Sequence, residues 1–530
     1  MTDLRPARSK HSVSATLPPA PRRSPAPIVW GVPIFLLALT IRLLHLKSAY
    51  NMFIDEVTYS EIATNLASGH GLTSYGAPFD LHPPMVFLTL GAVVRLFGLH
   101  GHPQDVIFAL RPVPVVFGSL TVVLSYLLAR RLTDSRALPL GVAAVIALDP
   151  FQISFDSRVM LEAEAQFFVC LTVLLLALLA TTFGRPRDGS NRLRTILTLL
   201  TGVSCGAAFC SKETFGLVLA ATLGLAALCR AAGPRRNPLT VLGIGSAIYA
   251  TSTLTVWLTT GFAPWWTAHT SGISRLVGTQ QTTGFNAATT HVSLADRLLA
   301  NLGDLAGTYL LLFAGGVSAL MLIRRQRLWE RSEPTTPREA VRSLVCVWTV
   351  AACGYLTYAM AIGSLEEQMY YITLVPCVLA IAAVVHRLRQ DRLDRVARTL
   401  WSAILLVLLL FDSAAWSRIH RSDNNLYAQF FRWEPTHVAA GSRVSVTEFS
   451  AQFLLKDVVI GRWSTAEALK QNHADYILLN TELVRQGYGE GSPEFLRYLQ
   501  ANADPVFVAH SRSDGDLILF DVRALTAGSH

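Results

Sequence analysis

Charge is scarce in this chain: only 15% of its 530 residues are Asp, Glu, Lys or Arg, against about a quarter in an ordinary soluble domain. With 51% hydrophobic residues and a mean hydropathy of +0.39, an all-aqueous fold is excluded and a bilayer is the natural solvent. Nucleic acid is not the partner implied by the net charge of +9, because the basic residues sit in short clusters between apolar runs rather than on one polar face. Cysteine is sparse as well. Cys170, Cys205, Cys210, Cys229, Cys346, Cys353 and Cys377 form no Cys-x-x-Cys pair and none follows residue 377, so neither a disulfide framework nor a thiolate metal site is supported. No internal repeat marks a solenoid or an inverted-repeat transporter. The first apolar run lacks a small-residue cleavage site and reads as an anchor rather than a removed signal peptide.

What the chain does have is apolar runs of spanning length, roughly 17 to 25 residues or somewhat fewer where protein shields them. They fall near 28–46, 111–130, 137–150, 161–183, 196–210, 212–230, 239–260, 301–323, 341–361, 370–386 and 399–413, which predicts an all-α polytopic membrane protein with about eleven spans. The clusters Arg5/Arg8/Lys10/Arg22/Arg23, Arg130/Arg131/Arg136, Arg185/Arg187/Arg192/Arg194, Arg230/Arg235/Arg236, Arg324/Arg325/Arg327 and Arg387/Arg389/Arg392/Arg395 then mark the cytoplasmic side. Three regions follow: a disordered basic cytoplasmic tail at 1–27, a membrane domain at 28–413 with an outer loop at 47–110, and an extracytoplasmic piece at 414–530. The parity of spans leaves the apolar stretch Pro84 to Phe97 re-entrant or lying along the surface. In the last region, strand-like runs (Arg443 to Thr447, Tyr476 to Leu479, Val506 to Ala509, Leu517 to Val522) alternate with helical pieces such as Pro493 to Gln500, predicting a small α/β domain.

The loop after the first run carries Asn51-Met52-Phe53-Ile54-Asp55-Glu56-Val57-Thr58-Tyr59, then Ala67-Ser68-Gly69-His70-Gly71 and Leu81-His82-Pro83-Pro84. Two adjacent carboxylates just past a membrane helix are a costly place for charge unless something uses them; taken alone, they read as a solvated loop edge or a helix cap. Together with Leu110-Arg111, Gly118 before the Leu128-Ala129-Arg130-Arg131-Leu132 run, Phe155-Asp156-Ser157-Arg158-Val159-Met160-Leu161-Glu162, Ser211-Lys212-Glu213-Thr214 and, more weakly, Gln368-Met369-Tyr370-Tyr371 with Pro376, the order and spacing resemble the protein O-mannosyltransferase and ArnT-like superfamily. These are family 39-like, polyprenyl-phosphate-sugar-dependent glycosyltransferases of the GT-C fold. The resemblance covers roughly the first 230 residues well and the remainder by architecture.

The resemblance implies Asp55 as the catalytic carboxylate, a general base on an acceptor hydroxyl, with Glu56 as the supporting acid. A carboxylate ionised near neutrality can take that proton. The polyprenyl phosphate is itself the leaving group and needs positive charge rather than a general acid. Arg111 and Lys212 are the foremost candidates for that charge, with Arg42, Arg158 and His82 beside them. Each basic side chain has the plain alternative of snorkelling to the headgroups. Glu162 matches a carboxylate position of the family, where it would orient a base or the sugar, or simply favour a helix N-terminus. Tyr59, Gln368 and Tyr371 are further candidates to line the cavity.

The implied partners are a polyprenyl-phosphate sugar donor, membrane lipid and an acceptor of unspecified class: protein, lipid or cell-wall glycan. No cofactor is implied, and no metal: His70, His82, His100 and His102 are irregularly spaced and His-x-His alone is a weak ligand signal. A second outer loop, with Trp265, Trp266, His269, Arg275, Gln280, Gln281 and Asn286, offers aromatic faces with amide and guanidinium donors that suit sugar rings, although the paired Trp265 and Trp266 read rather as an interfacial belt. The alternative to an enzyme is a transporter or flippase for lipid-linked sugars, which would spread charges through mid-membrane positions.

Overall fold

The computed structural model describes residues 27–181, 190–279, 293–326, 334, 336–362, 365–366, 368–390, 395–486, 490–512 and 514–527. The tail at 1–26 lies outside the described residues, as do Arg185, Arg187, Gln280, Gln281, Asn286, Arg327 and Arg392.

The chain begins with α1 (Gly31–Leu43), which turns Val32, Leu36 and Leu37 outward while burying Arg42 completely. An outer layer follows: α2 (Ile54–Ala67), a small hairpin of β1 (Thr73–Ser74) and β2 (Ala77–Pro78), α3 (Met85–Phe97) and α4 (Pro103–Leu110). At about 1.5 Å per residue, the 13 residues of α3 reach only about 20 Å, short of the roughly 30 Å hydrocarbon core. Its Phe87 and Leu90 are buried while Leu96 and Phe97 are exposed, so it lies against the protein with an apolar outer side. Gly98 stops it in the left-handed conformation, φ +60°, where glycine carries no Cβ penalty.

The membrane bundle then runs α5 (Pro112–Leu132), α6 (Ala137–Leu148), α7 (Pro150–Asp156), α8 (Glu162–Thr181), α9 (Ser190–Ser211), α10 (Glu213–Leu228) and α11 (Arg236–Thr260). After α12 (Phe262–Leu276) and α13 (Leu294–Ala300) come α14 (Leu302–Gln326), α15 (Pro337–Ala361), α16 (Gln368–Gln390) and α17 (Arg395–Arg421). Among the described residues, eight helices are long and apolar enough to cross a membrane, nine if the pair α6 and α7, bent by 60°, is one span. α1, α3 and α10 are shorter apolar helices. The bend has a local cause: Pro150 cannot donate within the helix, and Asp149 caps the new helix by accepting from Gln152 N–H at 2.8 Å.

α17 runs on to Arg421, past the boundary expected at residue 413. Asp412 and Ser413 interrupt the apolar run without ending the helix, because its continuation packs on protein: Trp416 donates its indole N–H to the Ile41 carbonyl at 3.3 Å. The C-terminal unit then comprises α18 (Leu426–His437), β3 (Arg443–Val446), α19 (Phe449–Leu454), β4 (Val459–Gly461), α20 (Ala466–Gln471), β5 (Tyr476–Asn480), α21 (Thr481–Gln486), α22 (Pro493–Asn502), β6 (Asp504–Ser511), β7 (Gly515–Asp521) and α23 (Arg523–Thr526). The sheet order is β4-β3-β5-β7-β6, with β3 parallel to β4 and β5, and β7 antiparallel to β5 and β6.

Alternation along the strands assigns the two faces. Val444, Val446, Leu478 and Leu519 share one core with Val57, Ile62, Phe87 and Ile107 of the outer layer. Ile477, Leu479, Ile518 and Phe520 form a separate core with Phe495 and Leu499 of α22. The entry to this unit is pinned to the segment after α1, where Asn425 Nδ2 donates to the Lys47 carbonyl at 2.8 Å and Asn424 Nδ2 to Ala49 at 3.2 Å. The outer layer is therefore held between the bundle and the sheet.

Candidate active site

Successive residues on a helix point about 100° apart, and this separates the acidic pair at the start of α2. Glu56 turns inward and is fully buried. Arg111, at the joint of α4 and α5, meets it with two parallel hydrogen bonds, Nε to Oε2 at 2.9 Å and Nη2 to Oε1 at 2.7 Å. The Val159 N–H donates to Glu56 Oε2 at 2.9 Å, and Arg111 Nη1 donates to the Leu46 carbonyl at 2.7 Å. Such a pair, desolvated on both sides and fully hydrogen-bonded, ties α2, α5 and the segment before α8 together.

A second buried pair lies nearby in the bundle. Arg42 Nε donates to Asp156 Oδ2 at 2.8 Å, with both side chains excluded from solvent, and the Tyr371 hydroxyl donates to Asp156 Oδ1 at 2.5 Å. Gly118 makes room for this carboxylate, since a Cβ there would stand 2.2 Å from Asp156 Cγ. Arg42, Arg111 and Tyr371 are thus committed to protein partners.

Asp55 faces the other way and keeps part of its side chain exposed. Among the described residues it has no cationic partner within salt-bridge distance; the Tyr59 hydroxyl is its hydrogen-bonding neighbour. Burial raises its pKa above the ordinary aspartate value, Lys212 and His82 pull it down, and Glu162 and Glu366 push it up. Lys212, His82, Glu162 and Glu366 therefore stand within electrostatic reach of Asp55. The Tyr59 hydroxyl is held well above the usual range by burial first and by Asp55 and Glu162 next, so it stays a neutral donor.

Lys212 owes its position to a break in the helix. It is a single extended residue, φ −160° and ψ 127°, between α9 and α10, and its ammonium pairs with Glu162 at the head of α8. The other Glu162 oxygen, Oε2, is buried without a partner among the described residues. Glu213, the next residue, binds elsewhere: its carboxylate lies 3.2 Å from His269 Nε2 and 3.8 Å from His82 Nδ1. Trp265 stacks on His269 with ring centroids 3.9 Å apart. Burial works against a charged His269, but Glu213 outweighs it and the pKa is raised.

The remaining expected residues separate cleanly. Gln368 meets Glu366 through its side-chain amide. Arg158 lies over the Tyr50 ring, 5.4 Å from its centroid, with its Nε unpartnered. His100 contacts the Gly98 carbonyl and His102 accepts from the Gln104 N–H at the start of α4, both local turn contacts. Among the described residues no three His, Cys, Asp or Glu side chains gather as metal ligands. Trp266 is 52% exposed, as an interfacial residue would be, whereas Trp265 turns inward to order His269. Glu213 and His269 were named from sequence only within a motif and a loop, without a site role, and Glu366 not at all; the sign available was that Glu213, like Lys212, interrupts an apolar run.

Comparison with known proteins bears on this arrangement. Residues 32–235 match the family described as dolichyl-phosphate-mannose-protein mannosyltransferase. No curated protein matches the chain in sequence. In structure it is similar to ArnT from Cupriavidus metallidurans bound to undecaprenyl phosphate, at 13% identity and TM-score 0.56, over 95% of this chain and 100% of that one. It is also similar to the archaeal oligosaccharyltransferase AglB from Archaeoglobus fulgidus, in complex with an inhibitory peptide and a dolichol-phosphate. That likeness has 12% identity and TM-score 0.52, over 86% of this chain and 70% of that one. Identities this low establish the shared fold.

Proposed function

We propose, from the premise that residues 32–235 are a dolichyl-phosphate-mannose-protein mannosyltransferase family domain and the chain is a multi-pass membrane glycosyltransferase of the GT-C fold, that it moves one sugar from a polyprenyl phosphate to an acceptor hydroxyl outside the membrane, with inversion. The single observation that carries this reading is Asp55: beside Glu56, Asp156, Glu162 and Glu213, which bind Arg111, Arg42, Lys212 and histidine, it is left part-exposed and without a cationic partner within salt-bridge distance among the described residues.

In the proposed reaction Asp55 accepts the acceptor's hydroxyl proton as that oxygen bonds to the anomeric carbon. The bond from the anomeric carbon to the phosphate oxygen breaks, and the polyprenyl phosphate departs with the electron pair. Lys212 offsets the charge growing on the phosphate, with His82 at its side. Glu162 holds Lys212 through one oxygen and offers its free Oε2 to a sugar hydroxyl. Glu56, Arg111, Arg42 and Tyr371 position rather than react. The orientation follows from charge, since Arg130 and Arg131 end α5 at the end opposite Arg111, and arginine gathers on the cytoplasmic side.

The test is a panel of radiolabelled polyprenyl-phosphate sugars supplied to membranes carrying the native chain or Asp55→Asn. Product of inverted anomeric configuration is expected from one donor with the native chain alone. Equal labelling by both chains would remove Asp55 from the role of base, and retained configuration would rule out direct displacement.

A further inference from the structure

The first turns of α9 and α11 splay apart around a cavity of about 420 Å³ far from Asp55. Both helices run toward the active centre: α9 ends beside Lys212, and α11 ends at Thr260, whose hydroxyl donates to Asp80 of the outer layer at 2.8 Å. The 22 residues of α9 span roughly 33 Å at about 1.5 Å each, a hydrocarbon core's thickness. The groove therefore opens at the opposite face of the membrane. Beyond it the helices close tightly, since a Cβ at Gly202 would stand 2.6 Å from Ile244 Cβ and one at Gly206 2.7 Å from Ile248 Cβ.

Its lining suits a phosphate. Arg194 and Arg236 supply positive charge, and no carboxylate lines it among the described residues. Two helix N-termini add the positive ends of their dipoles. Asn237, which lines the groove and is only 8% exposed, has a buried side-chain nitrogen with no hydrogen-bond partner among the described residues, a costly state unless a ligand accepts from it. The apolar part of the wall is Leu179, Leu199 and Ile244, beside four further polar side chains, and Leu199 is 52% exposed on the lipid-facing surface. A soluble anion gains nothing from that wall, whereas an acyl chain does.

We propose that this groove binds the phosphate headgroup of an anionic phospholipid from the leaflet opposite the active centre, its acyl chain running along Leu199. Native mass spectrometry of the full chain in mild detergent tests this, titrating phosphatidylglycerol into the native protein, Arg236→Gln and Asn237→Ala, with phosphatidylcholine and inorganic phosphate as parallel arms. The native chain should retain one phosphatidylglycerol more than either variant, with retention weakened roughly fivefold by Arg236→Gln, and should not retain phosphatidylcholine there. Arg236 is exposed, so its variant should melt with the native chain and isolate binding from folding. Equal phosphatidylglycerol retention by all three proteins overturns the site. Displacement of the lipid by inorganic phosphate at equal concentration would assign it to a soluble anion instead and overturn the lipid proposal.

Discussion

Asp55 and Glu56 are neighbours in sequence with opposite fates, and so are the two regions they enter. Glu56 and Asp156 are each matched to an arginine, shut from water and held by further hydrogen bonds. Around Asp55 the charges are incompletely matched: one Glu162 oxygen has no partner among the described residues, and Asp55 keeps an exposed edge. A matched pair resists change, which suits a scaffold. An unmatched group is held ready for something that is not protein.

That contrast can be broken most sharply at the pair itself. Asp55→Asn should lower turnover by about 10²- to 10⁴-fold with thermal unfolding unchanged, while Glu56→Ala should cost about 3–5 kcal/mol of stability by stranding the Arg111 charge. Activity assays and melting curves on both variants read this directly; a cold-stable, active Glu56→Ala would refute the scaffold role. Arg111→Lys should behave almost as badly as Arg111→Ala, because an ammonium cannot make both parallel bonds.

At Lys212 the expected effect is smaller and differently shaped. Lys212→Met should reduce turnover by roughly 10²-fold and move the pH profile as well. Asp55 must be ionised to accept a proton, and burial raises its pKa, so the rate should fall on acidification well above the ordinary aspartate value of about 3.9. Lys212 opposes that rise, and its removal should carry the acidic limb to still higher pH. A limb that stays in place in Lys212→Met would separate the two residues.

The mildest effect belongs to His269. Its folded pKa is raised, so its contact with Glu213 stabilises the protein fully below the unfolded value of about 6.5 and fades as pH rises through the raised one. His269→Gln should flatten that slope in melting temperature against pH, with only a modest change in turnover.

Much of the fold was legible because a membrane helix declares itself by composition, and a buried strand in the α/β unit by a short apolar run. The run from Glu162 and the strand from Tyr476 lie within a few residues of their expected places. α2 was not legible as a helix, since its polar face carries the very residues that read as a loop. Nor was β4, a three-residue edge strand. At the site, the type of residue was visible but not its partner. Arg111 looked as fit for a phosphate as Lys212, and only the fold brings Glu56, 55 positions away, onto its guanidinium. The extended backbone at Lys212, which sends two adjacent charges to different neighbours, has no composition signal beyond the interrupted apolar run.

The shared core of α2, α3 and α4 with one face of the β3–β5–β7 sheet bears on how such enzymes can be recombined. Grafting the terminal unit of a relative onto this bundle would leave Val57, Ile62 and Phe87 facing a foreign surface, so a chimera should fold only if the layer beneath travels with its cap. Variation in the terminal unit is then coupled, through ordinary apolar packing, to the helix that carries Asp55.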